Sequence, residues 1–295
     1  GIRDAADLLQ GKVAGLQITT PSGDVTQSAR IRLRGVSTLQ NDQGPFIVID
    51  GVPGGDLQTV APQDIESISV LKDASSAAIY GSRSAGGVIL ITTKRGSGLK
   101  PRISYDGYVA VSSIANKPDL LTADEWRSYA RESGSDASVY DKYGASTDWF
   151  DEITREGISQ NHGLSLSGGG SSNNYRASFN YLQREGVVND NDMERFNFRF
   201  QIQQRAINDR LRVGLTGAAT MRDFKEPNRR NFVLAYNMLP VYPVKLTNGE
   251  WFDTREYDQG NPVRNQAYNE DLKKNVHYYG SGDILFNIVE GLDIT

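Results

Sequence analysis

The pattern of hydrophobic and polar positions divides the chain near residue 98. Before that point, short apolar runs are separated by glycine-rich turns, which predicts short strands and a short opening helix. The predicted helix covers 4–10, and the predicted strands cover 16–20, 29–34, 46–50, 65–71 and 88–93. The last of these runs is β-branched and nearly uncharged, so we expect a central, buried strand there. Residues 1–97 are therefore predicted to form a compact α+β domain.

From Lys100 onward, polar and apolar residues alternate, which is typical of strands with two different faces. The clearest alternation places Phe196, Phe198, Phe200 and Ile202 on one face and Asn197, Arg199, Gln201 and Gln203 on the other. Further strands are predicted around 103–111, 163–167, 175–181, 211–216 and 276–288, with a seventh beginning at Leu292. Polar side chains at every second position would be costly in lipid, so that face must meet water or protein. A soluble sandwich would show the same alternation.

The lengths of the connections separate these two alternatives. The connections at 168–173 and 206–209 are tight, whereas those at about 114–158 and 223–274 are very long. Short turns on one side and long loops on the other are typical of a transmembrane β-barrel with extracellular loops. We therefore expect an α+β plug domain followed by antiparallel transmembrane β-barrel strands over 98–295.

Both ends of the sequence look cut, because no signal peptide precedes Gly1 and the last residues read as the start of a strand. A barrel that holds a plug needs on the order of 22 strands. The strands predicted here should therefore form a partial barrel, truncated at the C-terminus. We expect an open, curved sheet whose polar face cradles the plug and whose two edges are unpaired.

Composition excludes several classes of protein. The chain is 38% hydrophobic with a mean hydropathy of -0.48, which looks soluble, but a barrel also gives this value because its lumen is polar. No apolar run reaches the length of a transmembrane helix. The net charge of -4 argues against binding of nucleic acid. The absence of cysteine removes disulfides, zinc–thiolate sites and cysteine nucleophiles.

Several motifs occur in a specific order along the first hundred residues. They are DAADLLQGKVAG at 4–15, RIRLRG at 30–35, PFIVIDGVP at 45–53, LKDASSAAIYG at 71–81 and GVILITTKRG at 87–96. This stretch resembles the plug domain of TonB-dependent outer-membrane transporters, specifically the SusC/RagA branch of the Bacteroidetes. The resemblance continues more loosely through 147–149, 166–169 and Gly186.

The resemblance implies a function in the bacterial outer membrane. A transporter of this kind imports a large nutrient, an oligosaccharide or a peptide, when TonB remodels the plug at the expense of the proton-motive force. The lipid bilayer surrounds its barrel, and a SusD-like surface lipoprotein would cap it. The segment that contacts TonB is not found in this sequence. A surface binding or signalling receptor on the same scaffold remains the alternative, and a soluble β-sandwich enzyme is a distant third.

No catalytic, metal or cofactor site is predicted. The glycine-rich stretch 81–87 lacks the lysine of a phosphate-binding loop, so a structural turn is favoured. The two histidines, His162 and His277, are too isolated for a metal site or a proton relay. The carboxylate pairs at 151–152 and 190/192 are interpreted as solvated loop charge rather than acid–base chemistry.

The two long loops hold the candidate ligand contacts. In the first, Thr122 and Glu125 predict a capping box at the start of a helix, and packing is favoured over a role in the ligand vestibule. The second loop combines aromatic and arginine side chains that suit stacking on a glycan or contact with a peptide. The candidates are Arg229, Arg230, Tyr236, Tyr242, Trp251 and Tyr257. A loop packed on itself fits the same residues equally well.

Overall fold

The computed structural model of the chain describes two bodies of structure, a small α+β domain and a large antiparallel sheet. The described residues are 5–19, 23–33, 44–73, 77–254, 260–269, 271–289 and 292–294. Several sequence positions discussed above, Tyr257 among them, lie outside these ranges.

The α+β domain contains a two-stranded and a four-stranded sheet. Strands β1 (Leu16–Thr19) and β2 (Arg30–Leu33) pair antiparallel. The other four strands are β3 (Phe46–Ile49), β4 (Val52–Pro53), β5 (Ile65–Leu71) and β6 (Val88–Thr93), in the spatial order β4-β3-β6-β5. Short 3-10 helices cover Ala5–Leu8, Leu57–Thr59, Pro62–Asp64 and Ala78–Gly86.

Strand β6 is the centre of this domain, as its apolar sequence predicts. It pairs parallel with β3 and antiparallel with β5. Ile89 and Ile91 pack into a core with Ile31 and Val60, and Val88 packs on the other side of the strand. Val88 and Ile89 are fully inaccessible to solvent. The prediction of a central buried strand is confirmed.

The rest of the chain forms an antiparallel meander in which each strand pairs with the next. Its strands are β7 (Arg102–Ser112), β8 (Gly157–Gly169), β9 (Asn173–Glu185), β10 (Asp192–Ala206), β11 (Leu211–Lys225), β12 (Leu272–Val289) and the short β13 (Leu292–Ile294). Strands β7 and β13 are the two edges, so the sheet is open. It is a partial barrel of six long strands and the start of a seventh, as expected.

Most of these strands are longer than the alternation of apolar and polar residues predicts. Strand β8 was expected only near 163–167 but begins at Gly157. Gln160 lies on the same face of the strand as Leu164 and hydrogen-bonds Gln183 of β9 (2.5 Å). Because both faces are polar at this end, the alternation fades before the strand itself ends.

The two faces of the large sheet have opposite environments. On β10 the Phe198 side chain is 46% exposed and Ile202 is 50% exposed, whereas Arg199 between them is only 6% exposed. The polar face lies against the α+β domain, and the apolar face points away from it. This is the sidedness of a barrel wall whose outer face meets lipid and whose inner face holds a plug.

Four α-helices lie in the two long connections. They are α1 (Ala123–Glu132) and α2 (Trp149–Ile153) between β7 and β8, and α3 (Arg230–Asn237) and α4 (Pro262–Ala267) between β11 and β12. The predicted capping box begins α1, where the Thr122 backbone N–H donates to the Glu125 carboxylate at 2.8 Å. Within the described part of the chain, none of the helices is long and apolar enough to cross a membrane.

The two long connections are packed together over the same end of the sheet. Trp149 and Ile153 of α2 share one buried cluster with Ala235, Met238 and Phe252 of the second connection. The Trp149 indole N–H donates to the Leu239 carbonyl (3.0 Å). The packing interpretation of the first loop concerns α1, and it is supported there because Ala123 belongs to the same buried cluster and Trp126 packs against it.

Replacing Phe198 with Arg tests the sidedness of the sheet. If the apolar face meets the middle of the bilayer, the folded receptor should lose about 2–4 kcal/mol of stability. Gln203→Arg, on the polar face of the same strand, serves as the control and should cost much less. Unfolding of both variants in lipid vesicles measures the difference, and equal losses would contradict the assignment of the faces.

Candidate functional site

The polar face of the sheet holds the plug domain through buried carboxylates. Asp50 follows β3 and has a φ of +49°, a left-handed conformation that Asp tolerates better than most residues. Its carboxylate accepts hydrogen bonds from the Thr93 backbone (2.8 Å) and hydroxyl (2.8 Å), and from Arg199 of the sheet (2.9 Å). Gln201 donates to the Thr93 hydroxyl (2.8 Å), which ties the same point to β10 a second time.

A second carboxylate makes an equivalent contact with β9. Asp64 ends the 3-10 helix that precedes β5, and its carboxylate accepts from Arg176 (2.9 Å) and from the Ser178 hydroxyl (2.7 Å). The Asp64 carbonyl also accepts the Lys94 backbone N–H (2.8 Å). The Asp64 side chain is 6% exposed and the Arg176 side chain 14%, so the carboxylate is held mainly by its cation and hydrogen-bond donors.

A third arginine of the sheet, Arg222 on β11, contacts the part of the plug around Thr26 and Gln58. It donates to the Gln58 side chain (2.5 Å) and to the Thr26 carbonyl, and its guanidinium lies 4.2 Å from the centre of the Phe224 ring. The neighbouring Thr220 hydroxyl bonds the Thr59 carbonyl (3.4 Å). Three arginines on the polar face of the sheet, each on a different strand, therefore bind the plug.

Apolar contact across this seam is small among the described residues. One cluster joins the two bodies, in which Val25 of the plug packs against Leu182, Met193 and Phe224 of the sheet. The remaining contacts named above are hydrogen bonds and ion pairs. Hydrogen bonds and ion pairs can be exchanged for contacts with water, whereas a broad apolar seam would expose its area to water at a high free-energy cost.

A short connector joins the outer loops to the plug. Between β9 and β10, Asn189 donates to the Glu152 carbonyl of the first long loop (2.9 Å), and Asp190 accepts from Asn269 of the second (2.7 Å). Asn191 points the other way, and its side-chain amide contacts both Val25 (2.9 Å) and Asp24 (2.9 Å) of the plug. Residues 189–191, here called the connector, thus touch both long loops and the plug.

Asp24 is the acidic group at the top of the plug. Burial raises the pKa of its carboxyl group, but hydrogen bonds from Thr26 and Asn191 outweigh burial and hold that pKa below its ordinary value. Arg229 of the second long loop places a guanidinium nitrogen 3.9 Å from this carboxylate. This position lies too far for a hydrogen bond, and most of the Arg229 side chain remains exposed.

The predicted ligand contacts fall into different environments. Arg229, Arg230 and Tyr236 are exposed around α3, and Arg229 lies near Asp24 of the plug. Trp251 is partly buried beneath the Lys245 ammonium group, which lies 4.3 Å from its ring centre. Tyr242 is buried against Phe252 in the loop cluster, with 4.8 Å between ring centres. Tyr257 lies outside the described residues.

The remaining sequence candidates have structural roles. Stretch 81–87 covers the second part of the 3-10 helix Ala78–Gly86 and Gly87, which ends it. At Gly87 φ is +85°, and a Cβ would clash with the Leu33 side chain. His162 hydrogen-bonds Tyr105 (2.7 Å) on the apolar face of the sheet. Among the described residues no group of three or more acidic, histidine or cysteine side chains could hold a metal ion.

The wall arginines were not among the predicted site residues. Arg176 and Arg199 lie at polar positions of predicted strands, whereas Arg222 lies beyond the predicted strand at 211–216. The partner of each lies more than a hundred residues away in sequence. One signal in the sequence could have pointed to these contacts. An arginine on a strand face that packs against another domain becomes buried, and a buried arginine requires a partner.

Comparisons with known proteins agree with this architecture. The family model for the TonB-dependent Receptor Plug Domain matches residues 1–88. The TonB-dependent receptor SusC of Bacteroides thetaiotaomicron is 36% identical over 276 residues, which are 84% of this chain and 26% of SusC. The chain belongs to the SusC/RagA-like TonB-dependent receptors. These are non-enzymatic proteins of the outer membrane.

Further matches fit the same assignment. The TonB-dependent receptor P26 of Formosa agariphila is 31% identical over 296 residues, covering 92% of this chain and 29% of P26. A solved structure of the RagAB peptide importer in its closed-closed state has the same fold, with a TM-score of 0.81 and 23% identity over 99% of this chain and 38% of that one. The chain spans about a quarter of the length of the curated relatives it matches.

Replacing Arg199 with Met tests the seam. The substitution keeps the length of the side chain but leaves the buried Asp50 carboxylate without its cation, which should cost about 3–5 kcal/mol. The double variant Asp50→Asn, Arg199→Met should lose less than the sum of the single variants by at least about 1 kcal/mol. Chemical unfolding of the complete receptor measures both effects.

The matched control is Arg205→Met, an exposed arginine near the other end of the same strand. It should change stability by no more than about 0.5 kcal/mol. Additive effects of the Asp50 and Arg199 substitutions would show that the ion pair does not hold the plug.

Proposed function

We propose that this chain forms the plug and the first wall strands of an importer that carries an oligosaccharide or a peptide across the outer membrane. TonB supplies the energy by displacing the plug, and a SusD-like surface lipoprotein covers the outer opening. The observation that carries the proposal is the polar seam, in which Asp50 and Asp64 bind Arg199 and Arg176.

The seam supports import because it favours one docked position of the plug without binding it permanently. Buried ion pairs add little net stability, since desolvation of the two charges offsets most of their attraction. When the plug moves, the wall arginines return to a hydrated lumen at modest cost. A plug held by a broad apolar interface would have to expose that area to water, at about 25 cal/mol per Å².

The candidate ligand surface is the exposed side of α3, whose first turn follows Arg229, which lies 3.9 Å from Asp24 of the plug. Arg229, Arg230 and Tyr236 combine charged donors with an aromatic ring, which suits either a glycan or a peptide. Trp251 adds a second, more enclosed aromatic group. The burial of Tyr242 favours packing for that residue. RagAB, whose wall and plug share this fold, is described as a peptide importer, which supports a peptide as one of the two ligand classes.

A surface receptor that binds without transporting is the alternative on the same scaffold. It would use the same α3 surface but would not need the plug to leave the sheet. An experiment that prevents plug movement while preserving ligand binding separates the two functions.

Cross-linking the plug to the wall provides this experiment. The sequence described here contains no cysteine, and the Asp64 and Ser178 side-chain oxygens lie 2.7 Å apart. Asp64→Cys combined with Ser178→Cys should form a disulfide that blocks growth on the transported nutrient and is reversed by dithiothreitol. Ligand binding to cells should persist when the disulfide is formed. Each single cysteine variant is the control.

Unimpaired uptake with a fully formed disulfide would contradict plug displacement as the transport step. Uptake that continues in cells without TonB would contradict the energy source.

Substitutions on α3 test the ligand surface. Arg229→Ala with Tyr236→Ala should weaken ligand binding about tenfold or more, because charged and aromatic side chains dominate such contacts. The fold should be unaffected, since both side chains are largely exposed. Val233→Ala, an exposed apolar residue of the same helix, is the control. Titration of the complete receptor with its nutrient measures affinity, and wild-type affinity in the double variant would remove α3 from the binding surface.

A further inference from the structure

The connector contains a buried carboxylate oxygen with no partner. Asp190 is only 6% exposed, and one of its carboxylate oxygens accepts a hydrogen bond from Asn269 (2.7 Å). The other oxygen is fully buried and has no hydrogen-bond partner among the described residues. The interpretation of Asp190 as solvated loop charge is therefore incorrect. An ionised carboxylate in such a place needs a compensating positive charge.

No basic side chain of the described structure supplies that charge. Two basic side chains of the adjoining segments have other partners: Arg155 pairs with Asp192, and Lys273 pairs with Glu226. Neither forms an ion pair with Asp190 within 4 Å. In the first long loop, which Asn189 of the connector contacts, acidic residues also outnumber basic ones. The local electrostatic potential is therefore negative, which favours binding of a cation.

A second buried oxygen without a partner lies in the same junction. Gln266 of α4 is 9% exposed, and its amide nitrogen donates to the Ile153 carbonyl (3.0 Å). This bond fixes the orientation of the amide, so its oxygen is the atom left without a partner. The same Ile153 carbonyl accepts the Asn189 backbone N–H (3.1 Å), and Asn269, one turn after Gln266, holds Asp190.

The chemistry of these groups selects one class of cation. The available ligands are a carboxylate oxygen and an amide oxygen, in a junction without histidine or cysteine. Calcium prefers such oxygen ligands and tolerates irregular geometry completed by water, whereas magnesium demands a regular octahedron and zinc prefers nitrogen and sulfur. We propose that Asp190 and Gln266 form a calcium site that joins the connector to the outer loops.

Titration of the complete, detergent-purified receptor with calcium chloride tests the site. After treatment with a chelator, the wild-type protein should bind one additional calcium ion compared with Asp190→Asn, which keeps the shape of the side chain but removes its charge. Asp192→Asn is the matched control, because that carboxylate is two residues away, more exposed and already paired with Arg155. It should bind calcium as the wild type does.

A second measurement distinguishes loss of the calcium site from misfolding of the variant. Calcium should slow tryptic cleavage of the outer loops in the wild type and in Asp192→Asn, but not in Asp190→Asn, while all three proteins show the same unfolding midpoint in chelator. Equal calcium binding by wild type and Asp190→Asn would overturn the proposal. Loss of binding in Asp192→Asn as well would also overturn it, because the effect would then reflect general loop charge.

Discussion

The ion pairs between plug carboxylates and wall arginines are the interactions on which the rest of the structure depends. A lumen wall of Arg, Asn, Gln and Ser is well satisfied by water, but a plug removes that water. Each wall donor that the plug covers must then find an acceptor on the plug. Asp50 and Asp64 meet this requirement from the ends of structural elements, where a side chain can project from the small domain without interrupting a strand.

The distribution of charge across the seam has a direction. The acids belong to the plug and the arginines to the wall at both buried pairs. In the proposed displacement of the plug, an arginine that stays in a wide hydrated lumen would remain solvated, and an aspartate that left with the plug would meet water as well. Neither body is left with a buried, unpaired charge in the displaced state. The seam can therefore specify the docked position while contributing little to the barrier against release.

Sequence alone could predict the parts of the fold that depend on local periodicity. The alternation in β10 correctly assigns Phe198 to the outer face and Arg199 to the inner face, because successive side chains of a strand point to opposite sides. It could not identify Asp50 as the partner of Arg199, since that contact joins residues far apart in the chain. Nor could it separate Tyr236 from Tyr242, because exposure in a long loop depends on how the two loops pack together.

The connector shows how an event in the outer loops can reach the plug. Residues 188–191 form a tight turn, in which the Asn191 backbone N–H donates to the Val188 carbonyl (3.1 Å). Across this turn, Asp190 faces the second long loop while Asn191 faces Asp24 and Val25. Asn191 is fully buried, and Gly186 leaves the space that its side chain fills. A shift of the loops that moves Asp190 must therefore also move or break the amide contacts to the plug. Because these contacts are short-range hydrogen bonds, a displacement of about 1 Å is enough to weaken them, and no rearrangement of the apolar core is required.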